Sequence, residues 1–207
     1  MDAINNRKPP GATESSVLGP FYTEGAPERP AGADLGGAEG PRVLVTGRVL
    51  DTAGHPVPDA LLDVWETAAN GLYHMQDPNA PRFDLCGRLH ADGEGRFAFW
   101  TRAPVSYSIP TDGPVGKLLL RLGRHTYRPA HIHFIVSAPG YKRVVTELFT
   151  EGDKYLDSDA VFGVKESLVV RLRRDGAEAD GTPRYRLERD FVLEPAAPAA
   201  IERPAAR

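Results

Sequence analysis

RVLVTGRVLDTAGHPVPDALLDVWE, residues 42–66, is the stretch whose reading decides the fold. Two runs rich in β-branched and aliphatic residues, 42–50 (RVLVTGRVL) and 60–66 (ALLDVWE), flank the turn signal Ala53-Gly54. This is the composition of strands joined by a connection that reverses the chain. The same pattern recurs along the body, at 95–101 (GRFAFWT), 117–122 (KLLLRL), 131–138 (HIHFIVSA), 142–149 (KRVVTELF), 167–173 (SLVVRLR) and 184–193 (RYRLERDFVL). Turn chemistry separates these runs: Asp92-Gly93, Asp112-Gly113-Pro114, Pro139-Gly140 and Asp175-Gly176. About eight short strands at this spacing predict an all-β protein, a β-sandwich with long loops and minor helix. A short helix is expected at 156–166 (LDSDAVFGVKE), weakened by Gly163.

Composition agrees. The 207 residues include 21 glycines and 19 prolines, a share that favours turns over long helices. Lys+Arg number 25 against 28 Asp+Glu, and a net charge of −3 offers no basic stripe for nucleic acid. No apolar run reaches the roughly 18 residues of a membrane span, and the start, MDAINNRKPPGATESS, lacks the apolar centre of a secretory signal. The lone Cys86 cannot close an internal disulfide and fits a reducing compartment, so a cytoplasmic location is expected. Cys86, Trp65 and Trp100 read as core. Three regions are expected: a flexible N-terminal arm over 1–15, one domain over 16–193, and an Ala/Pro-rich tail over 194–207.

His131-Ile132-His133 is the sharpest local feature. Alternate residues of a strand share a face, roughly 6.6 Å apart along the chain, so the two imidazoles can converge on one metal ion. A pair of half-exposed strand histidines has the same sequence, and both readings stay open on spacing alone. Arg128, three residues earlier, places a fixed cation nearby; it neutralises an anionic ligand or pairs with a surface acid. No HExxH or CxxC occurs, so further ligands must be carboxylates or tyrosines. Tyr73 follows the turn Asn70-Gly71, and Tyr107 opens the run YSIPTDGPVG. Loop tyrosines also serve as packing anchors.

The blocks VLGPFYTEGAP (17–27), GHPVPDALLDVWETAANGLY (54–73), VSYSIPTDGPVG (105–116), YRPAHIHFIVSAPG (127–140) and GDKYLDSDAVFG (152–163) resemble the intradiol ring-cleavage dioxygenases. The resemblance runs from about residue 15 to residue 193 and follows the motifs in order. It implies a ferric ion, Fe(III), in each chain, held by Tyr73, Tyr107, His131 and His133. It implies cleavage of a catechol-type ring by dioxygen to a muconate-type dicarboxylic acid, with Tyr107 leaving the metal as a base and Arg128 stabilising charge on the ring. Phe21, Glu24, Arg128 and Glu147 would line the substrate, with Glu147 facing either the ring or solvent. An acidic Glu24 and the run YLDSDAVFGVK resemble the hydroxyquinol branch. The expected partners are a small aromatic diol or triol and O2. Catechol-type relatives carry a helical dimerisation region before VLGPF, where 16 residues precede Val17 here; a homo-oligomer is expected nonetheless. The alternative is a non-catalytic, transthyretin-like binding module, which the hairpin of residues 43–65 also resembles.

Overall fold

The computed structural model describes residues 7–196; the first six residues of the arm and the tail beyond 196 lie outside the described residues. The described residues form twelve strands: β1 (Arg42–Asp51), β2 (Leu61–Trp65), β3 (Cys86–His90), β4 (Arg96–Arg102), β5 (Tyr107–Ser108), β6 (Tyr127–Arg128), β7 (His131–Ser137), β8 (Val144–Thr150), β9 (Val169–Val170), β10 (Arg173–Ala177), β11 (Pro183–Glu188) and β12 (Phe191–Leu193). They build two five-stranded sheets and a two-stranded β5–β6 ribbon. One sheet runs β10-β11-β1-β12, with β4 also paired to β1; the other runs β3-β2-β7-β8-β9. The protein is the expected all-β sandwich, and no helix among the described residues is long and apolar enough to cross a membrane.

Alternation along the strands decides what lies between the sheets. Val43, Val45 and Val49 of β1, with Phe97 and Phe99 of β4, meet Leu62, Val64, Ile132, Phe134, Val136 and Leu148 in one buried cluster. Each such side chain removed from water contributes roughly 1.5–3 kcal/mol. β1 serves two partners in succession, pairing with β11 over residues 43–46 and with β12 over 49–51. Gly47 sits at the changeover, where an added Cβ would fall 1.8 Å from the Arg189 carbonyl oxygen.

Several local expectations need correction. The run 117–122 is not a strand: Pro114–Arg121 forms a helix, α1, with proline in its first turn. Proline there is pre-organised for helix entry, and Leu118-Leu119-Leu120, which lack branching at Cβ, favour the helix that an apolar run alone does not distinguish from a strand. The 156–166 helix is reduced to 3-10 turns at Leu156–Ser158 and Glu166–Leu168. Between them the Asp159 carboxylate accepts the backbone N–H groups of Val161 and Gly163, an alternative to helical pairing. Residues 184–193 break into β11 and β12, and Trp100 is half-buried beneath Arg42 rather than core. Strands β3 (CGRLH) and β10 (RRDGA) carry too little apolar signal to be read in advance.

Candidate metal centre

The strand period that sends Ile132 and Phe134 inward turns His131 and His133 to the outer face of the second sheet. Register fixes their neighbours: Trp65 of β2 and Glu147 of β8 both pair with His133. An outer sheet face is ordinarily wet. Here loops and the N-terminal segment roof it, so that Tyr73, Tyr107, Trp65, Cys86 and Ile135 form a second buried cluster with Phe21 and Tyr22 packed against it. His131 and His133 are 3% and 1% exposed, which rules out a half-exposed strand pair.

Four donor atoms converge under this roof. His131 Nε2 and His133 Nε2 lie 3.1 Å apart, His133 Nε2 is 2.9 Å from the Tyr73 hydroxyl, and the two tyrosine hydroxyls are 3.2 Å apart. His131 Nδ1–H donates to the Pro129 carbonyl at 2.6 Å, which leaves the Nε2 lone pair turned into the cluster. Burial, then the neighbouring Arg128 charge, lowers the His131 pKa to about 4. Burial, His131 and Arg128 hold His133 well below its usual value. Both imidazoles are therefore neutral at pH 7. Burial first, and then the opposing Tyr107, pushes the Tyr73 phenol well up; burial raises Tyr107 as well.

His133 is held differently from His131. Its Nδ1 makes no hydrogen bond, with Glu147 Oε1 at 3.4 Å. Its ring instead stacks on Trp65, centroids 4.6 Å apart and planes 5° from parallel. Phe21 stacks on Tyr73 at 4.7 Å, which places it beside the cluster. Arg128 arrives too, its Nη1 3.2 Å from His131 Nε2.

Glu147 does not face solvent. It is fully buried, and its carboxylate accepts from Arg128 Nη1 at 2.7 Å and Nη2 at 3.2 Å. Burial opposes the Arg128 charge, but Glu147 and Asp159 outweigh it and keep the guanidinium protonated. Ser16 Oγ lies 2.5 Å from Glu147 Oε2 and 2.8 Å from the Gly163 carbonyl, one proton between two acceptors. Glu24 is not brought to the cluster. It is exposed and lines a separate cavity of about 310 Å³ with Tyr22, Asp63, Arg88, Ile135 and Arg143. That cavity adjoins the cluster, since Asp63 and Ile135 pair two positions along from Trp65 and His133. Asp159, Ser16 and the stacking role of Trp65 were missed in the sequence. The only available cue was the acidic pair in Asp157-Ser158-Asp159.

His131, His133 and Glu147 also form a geometrically possible metal-binding group. Glu147 Oε1 lies 3.4 Å from His131 Nε2 but meets His133 at Nδ1, not at the Nε2 that faces Tyr73, and it is already engaged by Arg128 at 2.7 Å. The two phenols with the two Nε2 atoms are the better set. A cation at about 2 Å from each donor wants donor spacings of about 3 Å. Phenols held neutral by burial need a strong positive charge to ionise, and hard phenolate oxygens suit a hard cation such as Fe(III). The residues fit a ferric ion.

The family model described as Dioxygenase matches residues 17–195. The chain is 48% identical to the 6-chlorohydroxyquinol 1,2-dioxygenase of Cupriavidus pinatubonensis over 194 residues, 93% of this chain and 68% of that one. It is 51% identical to the hydroxyquinol 1,2-dioxygenase of a Rhizobium species over 176 residues, 84% of this chain and 60% of the relative. A part of each relative therefore lies outside the matched region. Among solved structures, hydroxyquinol 1,2-dioxygenase from Pseudomonas putida superposes with a TM-score of 0.88 at 49% identity, covering 94% of this chain and 71% of that chain.

Proposed function

The chain belongs to the intradiol ring-cleavage dioxygenases, and on that premise we propose that it opens a catechol-type ring with dioxygen at a ferric ion held by Tyr73, Tyr107, His131 and His133. The observation that carries the reading is the convergence of two phenol oxygens and two imidazole nitrogens at 2.9–3.2 Å under one roof. Fe(III), when bound, would supply the charge that ionises phenols and substrate hydroxyls and makes the ring reactive toward dioxygen.

The chain supplies the rest. Tyr107 is the proton acceptor: as a phenolate, its oxygen takes a proton from a substrate hydroxyl, a step worth typically 10²–10⁴-fold. Of the two phenols it is the less buried, at 6% exposed against 1% for Tyr73, which leaves it the freer to move. Arg128 offers an N–H toward charge developing on the ring. Phe21 provides an apolar wall beside Tyr73, and Trp65 keeps water from His133. A non-catalytic transthyretin-like module has no use for this donor set, and that alternative falls away.

Hydroxyquinol is the proposed substrate, with catechol second. Curated relatives at 44–51% identity include several named hydroxyquinol dioxygenases, whereas a Candida albicans relative named catechol 1,2-dioxygenase is 37% identical. Glu24 would act from the adjoining cavity on a third ring hydroxyl. The products are dicarboxylic acids, and assembly of like chains belongs to the same proposal.

Metal analysis with visible spectroscopy and oxygen uptake tests it. The expected result is stoichiometric iron, a broad phenolate-to-iron band that moves to longer wavelength with anaerobic catechol, and uptake with diols. A folded, iron-loaded sample with no visible band would sink the assignment.

A further inference from the structure

Arg128 is engaged more completely than a residue offering bare charge requires. Its Nε donates to Asp159 Oδ1 at 3.1 Å and its Nη2 to Asp159 Oδ2 at 3.3 Å. Nη1 and Nη2 donate to the two oxygens of Glu147. A guanidinium has five N–H groups in one rigid plane. Four go to carboxylates along two of its edges; the fifth, on Nη1, is directed at His131 Nε2, 3.2 Å away. Asp159 is itself fixed and 3% exposed, taking the backbone N–H of Gly163 at 2.8 Å and of Val161 at 3.3 Å. Gly163 closes the arrangement: a Cβ there would lie 2.9 Å from Arg128 Nη2, 3.1 Å from Glu147 Oε2 and 3.2 Å from Asp159 Oδ2.

We propose that Asp159 is a positioning residue for the ring-cleaving reaction, immobilising Arg128 together with Glu147 so that a single Nη1–H faces the cluster of Tyr73, Tyr107, His131 and His133. The inference rests on the reading of that cluster given above. Two carboxylates more than cancel one guanidinium, so Arg128 works as an aimed hydrogen-bond donor and not as a free cation. Lysine cannot stand in for it, because an ammonium has no planar fork to be held along two edges. A purely structural ion pair would predict something else. Breaking it would cost stability and metal content but leave each loaded site as fast as before.

The test compares Asp159→Asn, Arg128→Lys and the double variant, each assayed per bound iron, with anaerobic catechol affinity measured by calorimetry. Asp159→Asn should lower kcat per iron at least about tenfold while the anaerobic Kd changes by less than about threefold, since the aimed N–H acts on developing charge. The double variant should be no more than about twofold slower than the slower single one, because both act through one guanidinium. Unchanged kcat per iron in Asp159→Asn, or losses that multiply in the double variant, overturn the proposal. Wild-type turnover in Arg128→Lys overturns it as well and removes Arg128 from the reaction. A second readout needs neither iron nor turnover. In protein labelled with 15N-arginine, the Arg128 Nε–H should exchange slowly in the wild type and rapidly in Asp159→Asn, or in Asp159→Ser should the first variant not fold. Rapid exchange in the wild type defeats the idea even if the chain binds no iron at all.

Discussion

Tyr73 and Tyr107 are the same chemical group held in different company. Tyr73 touches His133 and stacks on Phe21, while Tyr107 stands edge-on to Tyr73 and near His131. Tyr107→Phe should therefore keep part of its iron yet lose about 10²-fold or more in kcat per iron, as expected when a base is removed. His131→Ala or His133→Ala should empty the site, which metal analysis of the purified variants reads directly. A second residue-scale prediction concerns Glu66, buried beside Thr101, which donates to it, with Oε2 left unpartnered. Burial raises its pKa from 4.5 to about 8. The folded chain thus holds this proton more tightly than the unfolded chain, a stabilisation complete below about pH 4.5 and lost as pH rises toward about 8. Glu66→Gln, which stays neutral, should flatten the fall in denaturation free energy across that window and be the more stable protein at pH 8. Parallel pH curves for the two proteins would contradict this. At this scale the sequence was legible where neighbours in the chain share a site, as in His131-Ile132-His133. Asp159 and Ser16 were not, because their partners lie 31 and 131 residues away and no local pattern announces such a contact.

At the scale of elements, β7 carries two jobs on opposite faces. Ile132, Phe134 and Val136 fill the sandwich while His131 and His133 face the roofed cluster. Phe134→Ala should cost about 3–5 kcal/mol of stability in denaturant titration, as full burial of an aromatic predicts. His133→Ala should cost far less and act on iron content instead, so the two variants separate the faces of one strand. Equal destabilisation by both would mean that the faces are not independent. The alternation of β7, β1 and β4 was readable because each has one inward face of β-branched or aromatic residues. Helix α1 was not, since Lys117-Leu118-Leu119-Leu120 has too few residues to show either period, and Pro114 marks a helix start as well as a turn. β3 escaped notice because an element with Gly87, Arg88 and His90 becomes a strand through its pairing with β2, not through its own preference.

For the whole molecule, the sandwich carries the cluster on the outer face of one sheet and the loops roof it, so the substrate prediction belongs here. Oxygen-uptake kcat/KM should rank hydroxyquinol above catechol and both above protocatechuate. Glu24→Ala should narrow the first gap by up to about tenfold if its hydrogen bond is worth about 1.4 kcal/mol. Protocatechuate proving the best of the three, or a ratio untouched by Glu24→Ala, would place discrimination elsewhere. The sandwich class followed from strand composition and turn spacing; the roof over an outer face did not, because residues 13–22 and the segments bearing Tyr73 and Tyr107 meet only in the finished fold. Ser16 bridges Glu147 and the Gly163 carbonyl across 131 and 147 residues of chain, and Thr13 reaches Val192 across 179. During synthesis, which delivers N-terminal segments first, Ser16 leaves the ribosome long before either of its partners exists. The oldest residue of the bridge thus waits for the youngest, and its two contacts can both form only on a chain translated as far as Gly163.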